Sequence, residues 1–194
     1  MENREKVIYF VTGNNHKFRE VKDIFKSEDT CYILRKNNLI PIEIQADSVR
    51  DVAHYKVNSL KNEIDESFFV EDAGFFIDKP LEGFPGVYSS YIFKTIGNEG
   101  VLKLINNFNQ TKAHFSAVIA LYFKPLEKIF LFKGNVNGKI CEKIIGNGGF
   151  GFDPIFIPDA TPDRTFAELS IEEKNQISHR GQALRLLIKF LKEN

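Results

Sequence analysis

The chain has no tryptophan, one methionine and two cysteines among 194 residues. Cys31 and Cys141 lie far apart and form no Cys-x-x-Cys pair. His16, His54, His114 and His179 are scattered, so no zinc-site spacing is present. Two distant cysteines fit a reduced, cytoplasmic setting. An excess of charge of either sign is also missing: Lys plus Arg and Asp plus Glu both number 26. That balance speaks against nucleic-acid binding, which usually carries a basic excess. No stretch approaches the roughly 18 uninterrupted apolar residues of a membrane helix, and no apolar signal-peptide core follows the opening Met-Glu-Asn-Arg-Glu-Lys. The expectation is a soluble protein with no nucleic-acid and no membrane partner. Repeats and low-complexity segments are absent, and the length fits one domain spanning residues 1–194.

What the chain does have is phenylalanine, 19 residues of it. Two such runs, Phe68-Phe69-Val70 and Phe75-Phe76-Ile77, enclose the adjacent carboxylates Glu71 and Asp72. Aromatic and β-branched runs read as buried strand, and a buried carboxylate is costly unless a cation meets it. Two readings stand from this stretch alone. Either Glu71-Asp72-Ala73-Gly74 is an exposed hairpin turn, or a strand end delivers carboxylates to a metal or substrate.

Along the rest of the chain, Lys6–Val11 reads as a buried strand, followed by the turn Thr12-Gly13-Asn14-Asn15-His16-Lys17 and a helix carrying Phe18, Val21, Ile24 and Phe25. A strand, a Gly/Asn turn and a helix start place unpaired backbone N–H groups where an anion is attracted. The Walker A pattern is missing, and an ordinary βα turn fits the same shape. Cys31–Leu34 and Ile40–Ile44 read as short strands, the second carrying Glu43. A helical stripe of Val49, Val52, Ala53, Val57 and Leu60 follows, with Ser48 or Asp47 as N-cap. Lys56 flanks that stripe, where a snorkelling lysine is the ordinary explanation.

Pro80–Gly86 reads as a turn-rich loop, Gly100–Phe108 as a helix, and Phe115–Phe123 and Lys128–Phe132 as strands. Asn137-Gly138 carries the signal of a tight hairpin. In Gly146–Pro154 four glycines surround Phe150, Phe152 and Asp153, a composition unlike a flexible linker. Ser170-Ile-Glu-Glu173 matches a capping box. Ser178 caps a last helix with Leu184, Leu187, Ile188 and Leu191 inside, which puts His179 and Arg180 at its N-terminus, where cations oppose the dipole. A bound anion or a carbonyl acceptor would compensate. An anion-accepting turn, enclosed carboxylates, an aromatic glycine loop and a cationic helix start together point to nucleoside triphosphate chemistry.

Five motifs in one order carry a resemblance: Thr12-Gly-Asn-x-x-Lys17, Glu71-Asp72-x-Gly74, Gly83-x-Pro-Gly-x-Tyr88, Phe150-Gly-x-Asp-Pro154 and Glu173-Lys-Asn-x-x-Ser-His-Arg180. The chain resembles the inosine/xanthosine triphosphate pyrophosphatase family from about Val7 to Leu191. The resemblance implies an α/β fold: a long, curved, mixed sheet flanked by helices, in two lobes with a central substrate cleft. It also implies a homodimer, a Mg²⁺ cofactor, and hydrolysis of ITP, dITP and XTP to the monophosphate and pyrophosphate, a role in cleansing the nucleotide pool.

By the same resemblance Thr12, Gly13, Asn14, Asn15, His16 and Lys17 hold the triphosphate, and Lys56 reaches the phosphates. Glu43 and Asp72 bind Mg²⁺, a hard cation that takes one or two carboxylates with waters and phosphates. Asp72 also accepts a proton from the attacking water, and Glu71 is a helper without an assigned role. Phe150 stacks on the purine, with Gly151, Phe152 and Asp153 completing its loop, while Lys174, His179 and Arg180 meet the base and sugar-phosphate. Two positions depart from the pattern. Ala73 stands where many relatives have Ser or Thr, leaving only its backbone N–H, and Ser90 stands where several carry Lys. A non-catalytic nucleotide-binding or sensing protein, or a pyrophosphatase for other modified nucleotides, is the competing reading.

Overall fold

The computed structural model describes residues 6–28, 30–109 and 111–194. The opening segment read above for a signal peptide lies mostly outside them. Strands β1 (Lys6–Val11), β2 (Tyr32–Asn37), β3 (Phe68–Ile77), β4 (Phe84–Gly86), β5 (Lys112–Phe123), β6 (Lys128–Ile140) and β7 (Phe156–Pro158) form one open mixed sheet, in the order β2-β1-β3-β5-β6-β7 with β4 also on β3. β1 is parallel to β2 and β3; the other pairings are antiparallel. Helices α1 (Asn15–Ser27), α2 (Val49–Leu60), α3 (Ser89–Thr95), α4 (Gly97–Ile105), α5 (Ile171–Ile177) and α6 (His179–Glu193) flank it.

The sheet buries both faces, so its strands carry near-continuous apolar runs. On one face Phe10, Phe69, Ile119 and Leu121 meet Val21 and Ile24 of α1 and Leu184, Leu187 and Ile188 of α6. On the other, Phe68, Val70, Val118 and Ala120 meet Val49, Ala53, Val57 and Leu60 of α2. Where β3 and β5 run on beyond the end of β1, a third core gathers Phe75, Phe115, Phe152, Phe156 and Phe166 with Val101 and Ile105 of α4. The α6 N-terminus lies directly on β6: a Cβ at Gly134 would meet the His179 carbonyl oxygen at 2.0 Å, so glycine is what lets that helix start sit against the sheet.

Local signals set the helix starts. Asn14 Oδ1 accepts from the N–H groups of His16 and Lys17, and Ser48 Oγ from Asp51 N–H. Ser170 and Glu173 form the expected capping box. Ser178 ends α5 and caps α6 through Gly181 N–H.

Four expectations need correction. Glu71 and Asp72 lie neither in a turn nor at a strand end; β3 runs through them without interruption. Ile40–Ile44 is not a strand. It has no pairing partner beyond β2, the sheet edge, and lies along α2, with Ile42 N–H donating to Ser59 Oγ. Asn137-Gly138 makes no hairpin: β6 passes straight through, and the turn is at Lys124–Glu127, where Glu127 takes φ 50°. Gly138 answers to packing, since a Cβ there would meet Ile157 O at 2.2 Å. The expected helix at Gly100–Phe108 starts earlier, as α4, and is preceded by α3, which buries none of its residues and so leaves no apolar stripe to read.

Candidate active site

The site begins with a gap in the sheet. β1 pairs with β3 only at Tyr9–Phe68 and Phe10–Phe69, and β4 joins at Phe75. Between them one edge of β3 faces no strand, while β5 covers the other edge throughout. The direction of the backbone follows from its neighbours. Ser67 C=O accepts from Tyr9 N–H, Ser89 Oγ bonds both the N–H and the C=O of Phe75, and Ile77 C=O accepts from Gly83 N–H. Strand groups alternate, so Glu71 and Ala73, of the same parity, present their N–H and C=O groups to the gap. At Ala73, which lacks a side-chain hydroxyl, the backbone N–H therefore still faces the gap.

Alternation also separates the two carboxylates. Glu71 is in register with Ile119, on the α1/α6 face, and Asp72 with Val118, on the α2 face. Glu71 is fully enclosed. Its Oε1 accepts from Arg180 Nη2 at 3.0 Å and its Oε2 lies 2.6 Å from Lys17 Nζ. Burial alone would raise its pKa, but Arg180 and then Lys17 reverse this and bring it down to about 2. Asp72 keeps some access to solvent and bonds Lys56 Nζ at 2.7 Å. Burial pushes its carboxyl up, and Lys56 and Lys17 only partly oppose that. Glu71 is thus held as a fixed anion, whereas the Asp72 carboxyl is raised by burial and keeps some access to solvent.

Lys56 does more than snorkel. Its ammonium also contacts Glu43, which the loop before α2 brings alongside. One buried cation thus sits between the two carboxylates expected to bind metal. Among the described residues no group of three His, Cys, Asp or Glu side chains is placed to hold a metal ion by itself. The donor set is two carboxylates that already converge on a cation, which suits Mg²⁺ completed by phosphate oxygens and water. Burial opposes ionisation of Glu43, and Lys56, Lys17 and Lys94 together hold its carboxyl down. Lys94 stands one helical turn beyond Ser90, so α3 supplies a positive charge near the site although position 90 does not.

The turn after β1 is preformed. Thr12 Oγ1 accepts from Asn14 N–H at 3.1 Å, Asn14 caps α1, and Asn15 Oδ1 accepts from Lys36 Nζ at 2.7 Å. A Cβ on Gly13 would meet nothing within 4 Å, so the space above the turn is open to a ligand.

Glu20, which the sequence reading passed over, joins the two ends of the site. It lies on the buried face of α1, bonds Lys174 Nζ at 2.9 Å and Arg180 Nη1 at 2.5 Å, and has its pKa brought down to about 2: burial raises it, and Arg180 and Lys174 outweigh burial. Lys174 also holds Asp153 Oδ2 at 2.6 Å, and Asp153 in turn accepts from Phe150 N–H at 2.7 Å. A continuous ionic chain therefore runs Lys17–Glu71–Arg180–Glu20–Lys174–Asp153, from the phosphate-type turn to the aromatic loop. It also answers the cation at the α6 start, since the carboxylates of Glu20 and Glu71 from α1 and β3 meet Arg180.

Phe150 is half-buried between Gly149 and Gly151, whose φ values of 66° and 65° favour glycine. Lys174 Nζ lies 4.9 Å and Arg180 Cζ 5.5 Å from its ring centre, and the exposed His16 ring stacks on it at 5.4 Å. Phe152 faces away from the cleft into the third core, against Phe75, and with the buried Asp153 supports the loop from beneath. His179 is buried and stacked on Phe115 at 4.8 Å. Burial first, then Arg180 and Lys174, keeps it neutral by pushing its pKa well below the usual 6.5. His179 Nδ1 and Arg180 Nε are both buried without a protein partner.

An open mixed sheet whose gap joins an anion-type turn, two cation-bridged carboxylates and an aromatic loop defines a nucleotide-handling α/β protein. The chain belongs to the Ham1 family, whose model matches residues 8–190. It is 48% identical over 186 residues to a dITP/XTP pyrophosphatase of Thermococcus kodakarensis, covering 95% of this chain and 97% of that protein. It is 44% identical over 187 residues to a dITP/XTP pyrophosphatase of Pyrococcus horikoshii, covering 96% and 97%. Among solved structures, a HAM1 protein from Coxiella burnetii superposes with a TM-score of 0.84 at 28% identity, covering 97% of this chain and all of that one. The Staphylococcus aureus Ham1 protein gives 0.81 at 30% identity, covering 97% and 99%.

Proposed function

We propose that this protein is a nucleoside triphosphate pyrophosphatase that hydrolyses dITP, XTP and ITP to the monophosphate and pyrophosphate. The observation that carries the reading is the Lys56 ammonium held between Glu43 and Asp72 beside an open, preformed anion turn. Phosphoryl chemistry depends mainly on positioning and charge neutralisation. The turn Thr12–Lys17 and the Ala73 N–H bind the triphosphate, and Lys17 and Lys56 offset its charge. Glu43 and Asp72 would hold Mg²⁺, which when bound would supply charge neutralisation at the phosphates and lower the pKa of water. Asp72 takes the proton from the attacking water. Cleavage of the α–β bridge leaves the hydroxyl oxygen on one product and the bridging oxygen on the other.

Phe150 offers a flat face for the purine. His179 Nδ1 and Arg180 Nε, unclaimed by the protein, are the donors that meet the oxygen at position 6 of hypoxanthine and xanthine; adenine presents an amino donor there instead. A buried polar mismatch of that kind discriminates strongly. Lys174 and Asp153 act by holding the loop. A homodimer working in the cytoplasm as a one-domain enzyme completes the reading, and pool cleansing is the role it fits. Comparing kcat/KM for dITP, XTP, ITP, GTP, ATP and dUTP tests the specificity; a preference for ATP or dUTP overturns it.

A further inference from the structure

His16 is placed between the two ends of the site. Its backbone N–H donates to Asn14 Oδ1 at 2.9 Å in the α1 cap, which fixes its Cα, while its ring is exposed. That ring lies on Phe150 with centroids 5.4 Å apart and planes 24° from parallel. The Phe150 backbone is fixed too, by Asp153 Oδ2 on its N–H at 2.7 Å and by Asn98 Nδ2 on the Gly151 carbonyl at 3.2 Å. Movement between the two residues is therefore movement of side chains, and the exposed imidazole is the freer of them.

The remaining surroundings of Phe150 do not yield. Lys174 and Arg180, which approach the ring at 4.9 and 5.5 Å, are buried and each held by two carboxylates, Glu20 with Asp153 and Glu20 with Glu71. Removing either from its partners would leave buried charges uncompensated. His16 is the exposed one of the three groups on Phe150, so it is the neighbour that a flat base stacking on that ring can displace.

We propose that His16 is the second ring of a base clamp. This rests on the reading that a purine meets Phe150. The imidazole swings outward on its fixed Cα by about one ring thickness, roughly 3.5 Å at aromatic contact distance, and the purine lies between His16 and Phe150. Every purine has the flat face this clamp grips, so His16 adds affinity for the base, while the choice among purines stays with His179 and Arg180. The same residue belongs to the phosphate-binding turn, and base capture is thereby tied to the element that holds the triphosphate.

The test is calorimetric binding of the α,β-methylene analogue of ITP, with inorganic triphosphate as the control, to the wild type, His16→Ala and His16→Phe. One aromatic stack corresponds to roughly 3- to 10-fold in Kd. His16→Ala should weaken the nucleotide analogue by up to that factor and by clearly more than it weakens inorganic triphosphate, because the wild type exchanges the His16–Phe150 stack for one on the larger purine, and His16→Phe should restore binding to within about 2-fold of wild type. Tighter binding by His16→Ala would overturn the clamp, because the ring would then compete with the base. Equal losses for both ligands would place His16 with the phosphates alone, and a His16→Phe variant as weak as His16→Ala would exclude stacking. A wild type that binds the analogue no better than inorganic triphosphate would instead overturn the purine reading on which the clamp rests.

Discussion

Arg180 Nη2 and Glu71 Oε1, 109 positions apart in sequence, meet at 3.0 Å inside the protein. The pair ties the start of α6 to the middle of β3, and it makes Glu71 unlike its neighbour Asp72. Breaking a buried pair by removing one charge costs about 3–5 kcal/mol. Glu71→Gln is therefore expected to lower the urea midpoint sharply and to reduce turnover only through misplacement of Arg180 and Lys17. Asp72→Asn, on the opposite face, should fold close to normally and lose kcat by orders of magnitude. Chemical denaturation run beside steady-state kinetics checks both; a stable, active Glu71→Gln would remove the anchoring role.

Glu20 gives a second expectation. It lies on the buried face of α1 and holds both Lys174 and Arg180. Glu20→Gln should loosen both cations, raising KM for dITP more than it lowers kcat. A KM unchanged from wild type would show that the two cations hold their places without it.

The pH dependence of stability follows from His179, Glu71 and Glu20. His179 is folded neutral with its pKa well below 6.5, so as pH falls below 6.5 the unfolded chain gains a proton that the folded protein refuses. Each such proton costs about 1.4 kcal/mol per pH unit. Glu71 and Glu20 sit at about 2 when folded, against 4.5 ordinarily, so their contribution is complete above 4.5 and is lost as pH falls toward 2. Asp72 and Asp153, both raised by burial, offset part of this. Stability should start to fall near pH 6.5 and fall faster below 4.5, and His179→Phe should flatten the first limb. Wild-type and His179→Phe curves of the same slope between pH 6.5 and 4.5 would contradict a buried neutral His179.

Much of this was legible in the residues. The apolar runs gave β1, β5 and the two ends of β3, and the caps Ser48, Ser170 and Ser178 fixed three helix starts. What stayed hidden depended on partners distant in sequence. Whether Glu71-Asp72 is turn or mid-strand is decided by Lys17, Lys56 and Arg180 arriving from three helices. Glu20 reads as one more polar position on an amphipathic helix until α5 and α6 bring Lys174 and Arg180 against it. Asn137-Gly138 is a sound hairpin signal that β7 overrides by packing against Gly138. Ser89, which pins α3 beside the gap, belongs to a helix with no buried stripe.

Metal removal is the fourth expectation. Lys56 already offsets part of the charge of Glu43 and Asp72, so the fold is expected to hold without a divalent ion. Chelation by EDTA should abolish hydrolysis and leave the melting temperature within a few degrees, and added Mg²⁺ should restore turnover. Unfolding on chelation would show that the ion is structural.

The central claim is cleavage between the α- and β-phosphates by the site around Asp72. Incubating the protein with dITP and Mg²⁺ and resolving the products by anion-exchange chromatography tests it most directly. The account predicts dIMP and pyrophosphate in equal amounts; dIDP with orthophosphate as the first products would contradict it.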